Sequence, residues 1–195
     1  MTIDIDLLDS ESAKEAIVAV SEVAAANDVD WALVGGIAVA LYGGERNTKD
    51  VDIIANKLLP IKSEGKLRQG GERYSIKAAK RDVFVDWILR NDSFKELFQI
   101  ALSEAVKING VPVLTPEWLV ILKFIAGRFK DQEDAVFLLS RPGLVDRKII
   151  KEKIIKYVSR EAWGLARHGY ERWYEMADGR SRAEARDAED GFIDS

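Results

Sequence analysis

Cysteine is absent from this 195-residue sequence, and histidine occurs only once, at position 168. Without cysteine the chain can form neither disulfide bonds nor thiolate zinc sites, and it has no cysteine nucleophile. A lone histidine cannot supply a cluster of imidazole ligands. Carboxylates are therefore the remaining candidates for a metal-binding cluster, and they favour hard ions such as Mg²⁺ or Mn²⁺.

Long hydrophobic runs are also missing. Apolar stretches such as 118–121 and 135–139 are far shorter than the roughly 20 residues that cross a bilayer. The acidic beginning of the chain, MTIDIDLLDSES, lacks the basic segment and the apolar stretch of a secretory signal. We therefore expect a cytoplasmic protein without a membrane span.

Charge and hydrophobic content limit the size of the core and the kinds of partner. The net charge is −4, and 47% of the residues are hydrophobic. A chain of this size and composition can bury one sizeable core, or a core and a small appended domain. The slightly acidic balance argues against a generally basic surface for nucleic acid, although it leaves room for a local basic patch.

Helix and strand patterns alternate over the first 114 residues. Ser12 and Glu15 have the spacing of a capping box ahead of an alanine- and valine-rich stretch, which predicts the first helix. Asn109-Gly110 suits the two-residue type I′ turn of a hairpin. Residues 57–82 show no clear periodicity and receive no assignment. The predicted elements are helix 12–27, strand 29–33, a short helix over 37–43, a strand within 46–56, strand 83–89, helix 93–105 and a hairpin over 106–113.

The second part of the chain is mainly helical. Thr115-Pro116-Glu117 is a strong helix start, with a capping threonine, a proline at the first helical position and an acid near the positive end of the helix dipole. Long helical patterns occupy 146–177, where aromatic side chains are expected to pack the helices and the lone histidine to lie at the surface. From 178 onward apolar content is low, which predicts a mobile tail. The predicted organisation is a domain over 1–114, a helical region over 115–177 and a tail over 178–195. The aromatic residues are Trp163, Tyr170, Trp173 and Tyr174.

Two aspartates lie two residues apart on the second predicted strand. With a strand period of two, the side chains of Asp50 and Asp52 point to the same face. Neighbouring carboxylates repel each other unless a cation neutralises them, and Mg²⁺ is a natural partner for such a pair. A solvated strand face is the simpler interpretation of an isolated Asp-x-Asp motif. The motif therefore needs support from its surroundings.

That support comes from Gly35-Gly36, at a predicted strand-to-helix junction. Glycine there lets a ligand approach the backbone, and exposed N–H groups at a helix start favour phosphate oxygens. A tight turn would also explain the pair. Together with Asp-x-Asp on the next strand, however, it places a phosphate site beside a metal site.

These residues resemble the nucleotidyltransferases of the DNA polymerase beta type. The resemblance covers about 29–140 and includes VGG at 34–36, KDVDII at 49–54 and FVDWI at 84–88. It implies an α+β nucleotidyltransferase fold, in which a small mixed sheet is flanked by helices and followed by a helical C-terminal region. It also implies that Gly35 and Gly36 hold the triphosphate of a nucleoside triphosphate. It further implies three catalytic carboxylates that bind Mg²⁺ or Mn²⁺, namely Asp50, Asp52 and Asp86. Asp82 is the nearby alternative to Asp86.

A finer resemblance is to the bacterial nucleotidyltransferases of abortive-infection (AbiE-type) toxin–antitoxin systems. It is carried by the R-x-T-x-D-x-D pattern that begins at Arg46 and by the segment LTPEWLVILKFIAGRFKDQEDAVFLL. It implies that Thr48, Lys123 and Arg128 lie near the nucleotide, whereas a neutral interpretation treats the two cations as ordinary helix-surface residues. Asp131 and Asp134 match the segment as well. We expect Asp131 and Asp134 to cap a helix and to pair with nearby cations.

Three functions remain open on the sequence alone. The first is a toxin-like enzyme that transfers a nucleoside monophosphate to a hydroxyl of tRNA or protein and has a cognate antitoxin. The second is an aminoglycoside-type antibiotic nucleotidyltransferase, for which the net negative charge suits a cationic acceptor. The third is a nucleotide-binding or antitoxin-like partner protein without turnover.

Overall fold

The computed structural model describes residues 8–45 and 48–190, with side chains described as far as residue 185. The chain divides into two compact units, Met1–Thr115 and Pro116–Ser195. The helices are α1 (Ser10–Ala26), α2 (Gly35–Leu41), α3 (Lys95–Ser103), α4 (Pro116–Ala126), α5 (Phe129–Ser140), α6 (Arg147–Tyr157) and α7 (Arg160–Asp190). The strands are β1 (Trp31–Leu33), β2 (Asp50–Ala55), β3 (Gly65–Lys66), β4 (Gly71–Lys77), β5 (Asp82–Ile88), β6 (Val106–Ile108) and β7 (Val111–Val113). All the strands belong to the first unit.

A seven-stranded mixed sheet forms the centre of the first unit, in the order β3-β4-β5-β2-β1-β7-β6. The two central strands β2 and β5 run parallel, while β4 pairs with β5 and β1 with β2 in the antiparallel sense. Helix α1 packs on β4 and β5, and α2 and α3 pack on β2. The predicted α+β fold with a mixed sheet flanked by helices is confirmed.

One face of β2 and β5 is buried in the core. Val51, Ile53, Val85 and Trp87 are fully buried. Their alternation with residues of the opposite face is what the pleat of a strand dictates. The predicted face that contains Val83, Val85 and Trp87 is therefore confirmed, and the aspartates of both strands lie on the other face.

Helix α1 begins two residues earlier than predicted, because Asp9 rather than Ser12 is its N-cap. The Asp9 carboxylate accepts hydrogen bonds from the backbone N–H of Ser12 at 2.9 Å and from its hydroxyl at 2.7 Å. Both residue types favour the N-cap position. A carboxylate one turn earlier also suits the positive end of the helix dipole.

The hairpin of β6 and β7 is confirmed. Asn109 and Gly110 have φ values of 51° and 84°, as the two central positions of a type I′ turn require. Ile108 pairs with Val111 directly across the turn.

Strand β4 is the element that sequence patterns miss, because it lies within the unassigned residues 57–82. Polar and charged residues alternate along it with Tyr74 and Ile76, of which only Tyr74 is fully buried. A strand with one such face shows only weak apolar periodicity. It pairs with β5 along its whole length.

The second unit consists of helices α4 to α7 around an aromatic cluster. The Phe124 ring stacks on Tyr170 with centroids 4.0 Å apart and meets Trp173 edge-on at 5.0 Å. Tyr170 and Trp173 are buried, whereas His168 is 78% exposed and contacts Glu171. The expectations that the aromatic residues pack the helices and that the histidine lies at the surface are confirmed.

Helix α7 continues to Asp190, where the sequence predicts a mobile tail from residue 178. The Ser181 hydroxyl donates to the backbone carbonyl of Ser140 at 2.7 Å, and Arg141 donates to Glu184 at 3.3 Å. Polar bonds to α5 thus hold this part of the helix, and a pattern based on apolar content does not detect them. Residues 191–195 of the predicted tail lie outside the described residues.

No helix among the described residues is long and apolar enough to cross a membrane.

Candidate functional site

Three aspartates come together on one face of the central strands. In the parallel pairing of β2 and β5, Asp52 lies directly opposite Asp86, and Asp50 lies opposite Phe84. Because residues two apart share a face, Asp50, Asp52 and Asp86 form one group on that face, which we call the carboxylate triad. The alternative, Asp82, is exposed at the start of β5, where it lies opposite Lys77 in the backbone register with β4. The register therefore favours Asp86 as the third carboxylate.

Burial differs across the carboxylate triad. The Asp86 side chain is 10% exposed, and the Asp50 side chain is 32% exposed. A buried carboxylate needs a cation or several hydrogen bonds to offset its lost hydration. The residue that supplies the cation is Arg73.

Arg73 lies on β4, directly opposite Asp86. Its Nε donates to Asp86 Oδ1 at 2.6 Å, and its Nη2 donates to Asp86 Oδ2 at 2.9 Å. The same Nη2 lies 3.5 Å from Asp50 Oδ2. The hydrogen bond to Asp86 raises the pKa of the Arg73 guanidinium above its ordinary value. Burial opposes this effect, and the negative charges of Asp86, Asp50 and Asp52 add smaller contributions that raise the pKa further.

Sequence patterns miss Arg73 because they miss its strand. The available signal is the alternation of Glu72, Tyr74 and Ile76 with Arg73 and Ser75 after a glycine turn. This places the arginine on the face opposite the buried tyrosine. Nothing in that alternation shows which aspartate the arginine would reach.

Gly35 lies against Asp52. The backbone N–H of Val34 donates to the Asp52 carbonyl at 2.9 Å, and Gly35 follows with φ +64°. A Cβ atom at Gly35 would lie only 2.0 Å from Asp52 Oδ2. Only glycine combines this positive φ with so close an approach of the carboxylate. Gly36 is the next residue of α2 and is buried.

Thr48 contacts the carboxylate triad through Asp50. Its hydroxyl lies 3.1 Å from the Asp50 carbonyl oxygen and 3.3 Å from Asp50 Oδ1. The structure thus places this predicted nucleotide-binding residue where it orients a carboxylate. Arg46, which belongs to the same sequence pattern, lies outside the described residues.

Lys123 and Arg128 belong to the second unit, where both pair with aspartates. Lys123 Nζ donates to Asp131 Oδ1 at 3.0 Å and to Asp134 Oδ2 at 2.5 Å. Arg128 Nε donates to Asp131 Oδ2 at 2.6 Å. The Lys123, Asp131 and Asp134 side chains are at most 8% exposed, whereas that of Arg128 is 61% exposed. We call Lys123, Asp131 and Asp134 the buried ion cluster.

The expected pairing of Asp131 and Asp134 with nearby cations is confirmed. The expected cap is wrong in its position: Arg128 is the N-cap residue of α5, and Asp131 is the third helical residue, which accepts from the Arg128 backbone N–H at 3.3 Å. Asp131 thus has the position of the acidic member of a capping box.

The buried ion cluster should make stability depend on pH. Burial alone would raise the pKa of Asp131, but hydrogen bonds from Arg128 and Lys123 outweigh burial and hold this pKa below its ordinary value. A lowered folded-state pKa contributes stability above the unfolded value, at about pH 4, and that contribution is lost as the pH falls through the folded value. We expect Asp131→Asn to lower the melting temperature at pH 7. Between pH 5 and pH 3, the melting temperature of this variant should then fall less than that of the unaltered protein. Calorimetry over this range measures both, and equal acid dependence in the two proteins would contradict the assignment.

The donor set of the carboxylate triad fits a hard divalent ion. All the ligands are carboxylate oxygens on adjacent strands, which are the ligands that such ions prefer. Two of the carboxylates, those of Asp50 and Asp86, already contact the positive charge of Arg73. In the described part of the chain, no group of three or more acidic, histidine or cysteine side chains is already gathered around a metal position. Binding of such an ion would therefore require a rearrangement of these side chains.

Comparison with solved structures supports the fold. The chain is similar to an antigenic nucleotidyltransferase-like protein from Paracoccidioides brasiliensis, with a TM-score of 0.50 and 18% identity over 82% of this chain and 94% of that one. It is also similar to JHP933 from Helicobacter pylori, with a TM-score of 0.50 and 14% identity over 96% of this chain and 100% of that one. No protein-family model and no curated protein sequence matches the chain. The structural likeness establishes a nucleotidyltransferase fold.

Proposed function

We propose that, on this nucleotidyltransferase fold, the chain transfers a nucleoside monophosphate from a nucleoside triphosphate to an acceptor hydroxyl. Asp50, Asp52 and Asp86 are the proposed ligands of Mg²⁺ or Mn²⁺. The observation that supports this proposal best is the register of β2 and β5, which aligns Asp52 with Asp86 and keeps Asp50 on the same face. Three neighbouring carboxylates on a sheet face have no evident structural benefit, since they repel each other.

The proposed reaction is an in-line displacement at the α-phosphorus. A bond forms between the acceptor oxygen and the α-phosphorus, the bond to the bridging oxygen of the β-phosphate breaks, and pyrophosphate leaves. Divalent ions bound by the carboxylate triad would lower the pKa of the attacking hydroxyl and neutralise the triphosphate. Asp50 and Asp52 position the triphosphate side of the site, and Asp86 helps to activate the hydroxyl. The protein contributes mainly positioning and charge.

The remaining site residues have supporting roles in this proposal. The backbone of Gly35 and Gly36 approaches the triphosphate, and Thr48 orients Asp50 through its hydroxyl. In the second unit, Arg128 is the better candidate for direct contact with a phosphate, because its side chain is more than half exposed. Lys123 is nearly buried, and we assign it the role of holding Asp131, the aspartate that pairs with Arg128.

The acceptor is proposed from the resemblance to the abortive-infection nucleotidyltransferases. A toxin-like enzyme that modifies tRNA or protein, with a cognate antitoxin as its partner, is the first candidate. The net charge of −4 favours a second candidate, a cationic aminoglycoside acceptor. A nucleotide-binding or antitoxin-like protein without turnover is the third outcome of the test.

The test offers the purified chain a cell extract, Mg²⁺ and each nucleoside triphosphate labelled at either the α- or the γ-phosphate. If the acceptor takes up label from the α-phosphate but not from the γ-phosphate, the reaction is nucleotidyl transfer and not phosphoryl transfer. Digestion of the product with ribonuclease or protease then identifies an RNA or a protein acceptor, and parallel reactions contain purified aminoglycosides. The Asp50→Asn/Asp52→Asn protein is the control, and equal labelling by that protein would refute the proposal.

Gly35→Ala should lower transfer by roughly 100-fold, the usual cost of misplacing a reacting group by about an ångström. The new methyl group would collide with Asp52 Oδ2 and displace that carboxylate. Steady-state assays with the α-labelled nucleotide measure the loss.

The matched control is Gly43→Ala. Gly43 also has a positive φ of +89°, but nothing lies within 4 Å of the position of its Cβ. An alanine at position 43 therefore introduces similar backbone strain without contact with the carboxylate triad. Equal losses in the two variants would show that strain, rather than the position of Asp52, causes the effect.

A further inference from the structure

Arg73 occupies the position where the negative charges of the carboxylate triad converge. Its guanidinium forms a two-point pair with Asp86 and reaches Asp50 at 3.5 Å. Its carbon Cζ also lies 5.4 Å from the centre of the exposed Phe84 ring. Phe84 is two residues before Asp86 on the same face of β5. Arg73 is thus held at this face by two carboxylates and one aromatic ring.

We propose that Arg73 is a built-in competitor of the divalent ion: it offsets one negative charge of the triad in the metal-free protein and sets how tightly metal binds. This proposal rests on the proposed function, because it takes the triad to be the metal site. It assigns Arg73 the role of a positioning residue.

Three carboxylates on neighbouring strands carry three negative charges, and a guanidinium between two of them offsets one. A divalent ion bound by the same oxygens would lie close to the guanidinium, and the repulsion between these cations would lower the affinity for the ion. Metal binding and the present position of Arg73 therefore oppose each other.

Geometry makes this opposition specific to Arg73. Both oxygens of Asp86 accept hydrogen bonds from the guanidinium of Arg73. The planar guanidinium has the geometry to bind a carboxylate at two points. The weaker contact is the one to Asp50, whose carboxylate is also the more exposed. The Arg73 side chain is itself 40% exposed. It can therefore move away from Asp50 into solvent without a change in the core.

The same pair has a second effect, on the metal-free protein. Asp86 is nearly buried, and a buried carboxylate without a cation is strongly destabilising. Arg73 therefore keeps Asp86 in place until metal binds. Removal of the arginine should make the metal-free protein less stable and its stability more dependent on metal.

The experiment measures Mn²⁺ binding without nucleotide, by the loss of the electron paramagnetic resonance signal of free Mn²⁺. We expect Arg73→Gln to bind Mn²⁺ about tenfold more tightly than the unaltered protein, within the usual range of coupling between two sites. Arg73→Lys keeps a positive charge and should remain within about threefold of the unaltered protein, a difference well under one tenfold step. Thermal unfolding with and without Mn²⁺ provides the second readout: Arg73→Gln should melt lower without metal and gain more from its addition.

Arg90→Gln is the matched control for loss of one positive charge. Arg90 also pairs with an aspartate, Asp92, and lies over the rings of Phe94 and Phe98, but this aspartate is not a member of the triad. We expect its Mn²⁺ affinity to equal that of the unaltered protein.

Separate outcomes would overturn the two proposals. If Arg73→Gln binds Mn²⁺ no more tightly than the unaltered protein, or if Arg73→Lys binds as tightly as Arg73→Gln, competition by charge is wrong. If Asp50→Asn/Asp52→Asn still binds Mn²⁺ normally, the metal site of the proposed function is wrong. A metal-free Arg73→Gln protein that does not fold but is rescued by Mn²⁺ supports the proposal, whereas one that Mn²⁺ does not rescue overturns it.

Discussion

An Asp52→Asn protein should fold normally and lose roughly 10³-fold in the rate of nucleotidyl transfer. The expected loss follows from the several kcal/mol of transition-state stabilisation that a bound metal supplies, at about 1.4 kcal/mol for each factor of ten. Asp52 is the member of the triad that lies opposite Asp86 on the neighbouring strand and against Gly35. An asparagine keeps the shape of the side chain but removes one charged oxygen ligand.

A measurement of stability distinguishes a variant that has lost catalysis from one that has lost its fold. Since neighbouring carboxylates repel each other, removal of one charge should leave the melting temperature unchanged or raise it. Single-turnover assays with the α-labelled nucleotide give the rate, and calorimetry gives the melting temperature. A drop in activity that only follows a drop in stability would contradict the assignment.

Asp82→Asn is the matched control for this substitution. Asp82 lies on β5 four residues before Asp86, so it shares the same face, but it is exposed and lies opposite Lys77 in the backbone register with β4. We expect this variant to retain full activity. If Asp82→Asn loses as much activity as Asp52→Asn, the third carboxylate has been assigned to the wrong residue.

Lys123→Met should destabilise the protein by about 3–5 kcal/mol, the usual cost of removing one partner from a buried ion pair. Lys123 is the cation between Asp131 and Asp134, and all three side chains are nearly buried. Methionine fills a similar volume, so the loss reflects uncompensated charge more than packing. In a chain of this length, the change corresponds to a fall in melting temperature of about 6–20 °C.

Two further variants identify the cause. Lys123→Met/Asp134→Leu removes one of the carboxylates that the single variant leaves unpaired and should recover part of the stability. Lys148→Met removes a lysine from the exposed pair with Glu152 and should change the melting temperature very little. Chemical denaturation of all three proteins measures the differences. A double variant less stable than Lys123→Met would show that charge is not the cause.

The sequence by itself determined the parts of the site that follow from local geometry. The period of a strand places Asp50 and Asp52 on one face, and the alternation along β5 places Asp86 opposite the apolar face of that strand. Both depend only on the pleat of an extended chain. The turn at Asn109-Gly110 is equally local, because it depends on positive φ at two adjacent residues.

Helix caps show where local patterns stop being sufficient. Asp9 and Ser12 both favour the N-cap position, and so does Asp131 at the start of α5. The structure selects Asp9 for α1, and at α5 it gives Asp131 a place inside the helix, where it also binds Lys123. Lys123 lies eight positions before Asp131 in the chain, so a pattern of four residues does not include this partner.

Only the tertiary structure decided which strands are neighbours and which residues lie opposite each other. The alignment of Asp52 with Asp86 requires β2 and β5 to pair in parallel, with β3 and β4 between them in the chain. Arg73 reaches the triad because β4 pairs with β5 in a register that places it opposite Asp86. Register comes from the packing of whole strand faces and from the hydrogen bonds between strands. For this reason the aspartates could be recognised from the sequence, whereas the arginine that pairs with two of them could not.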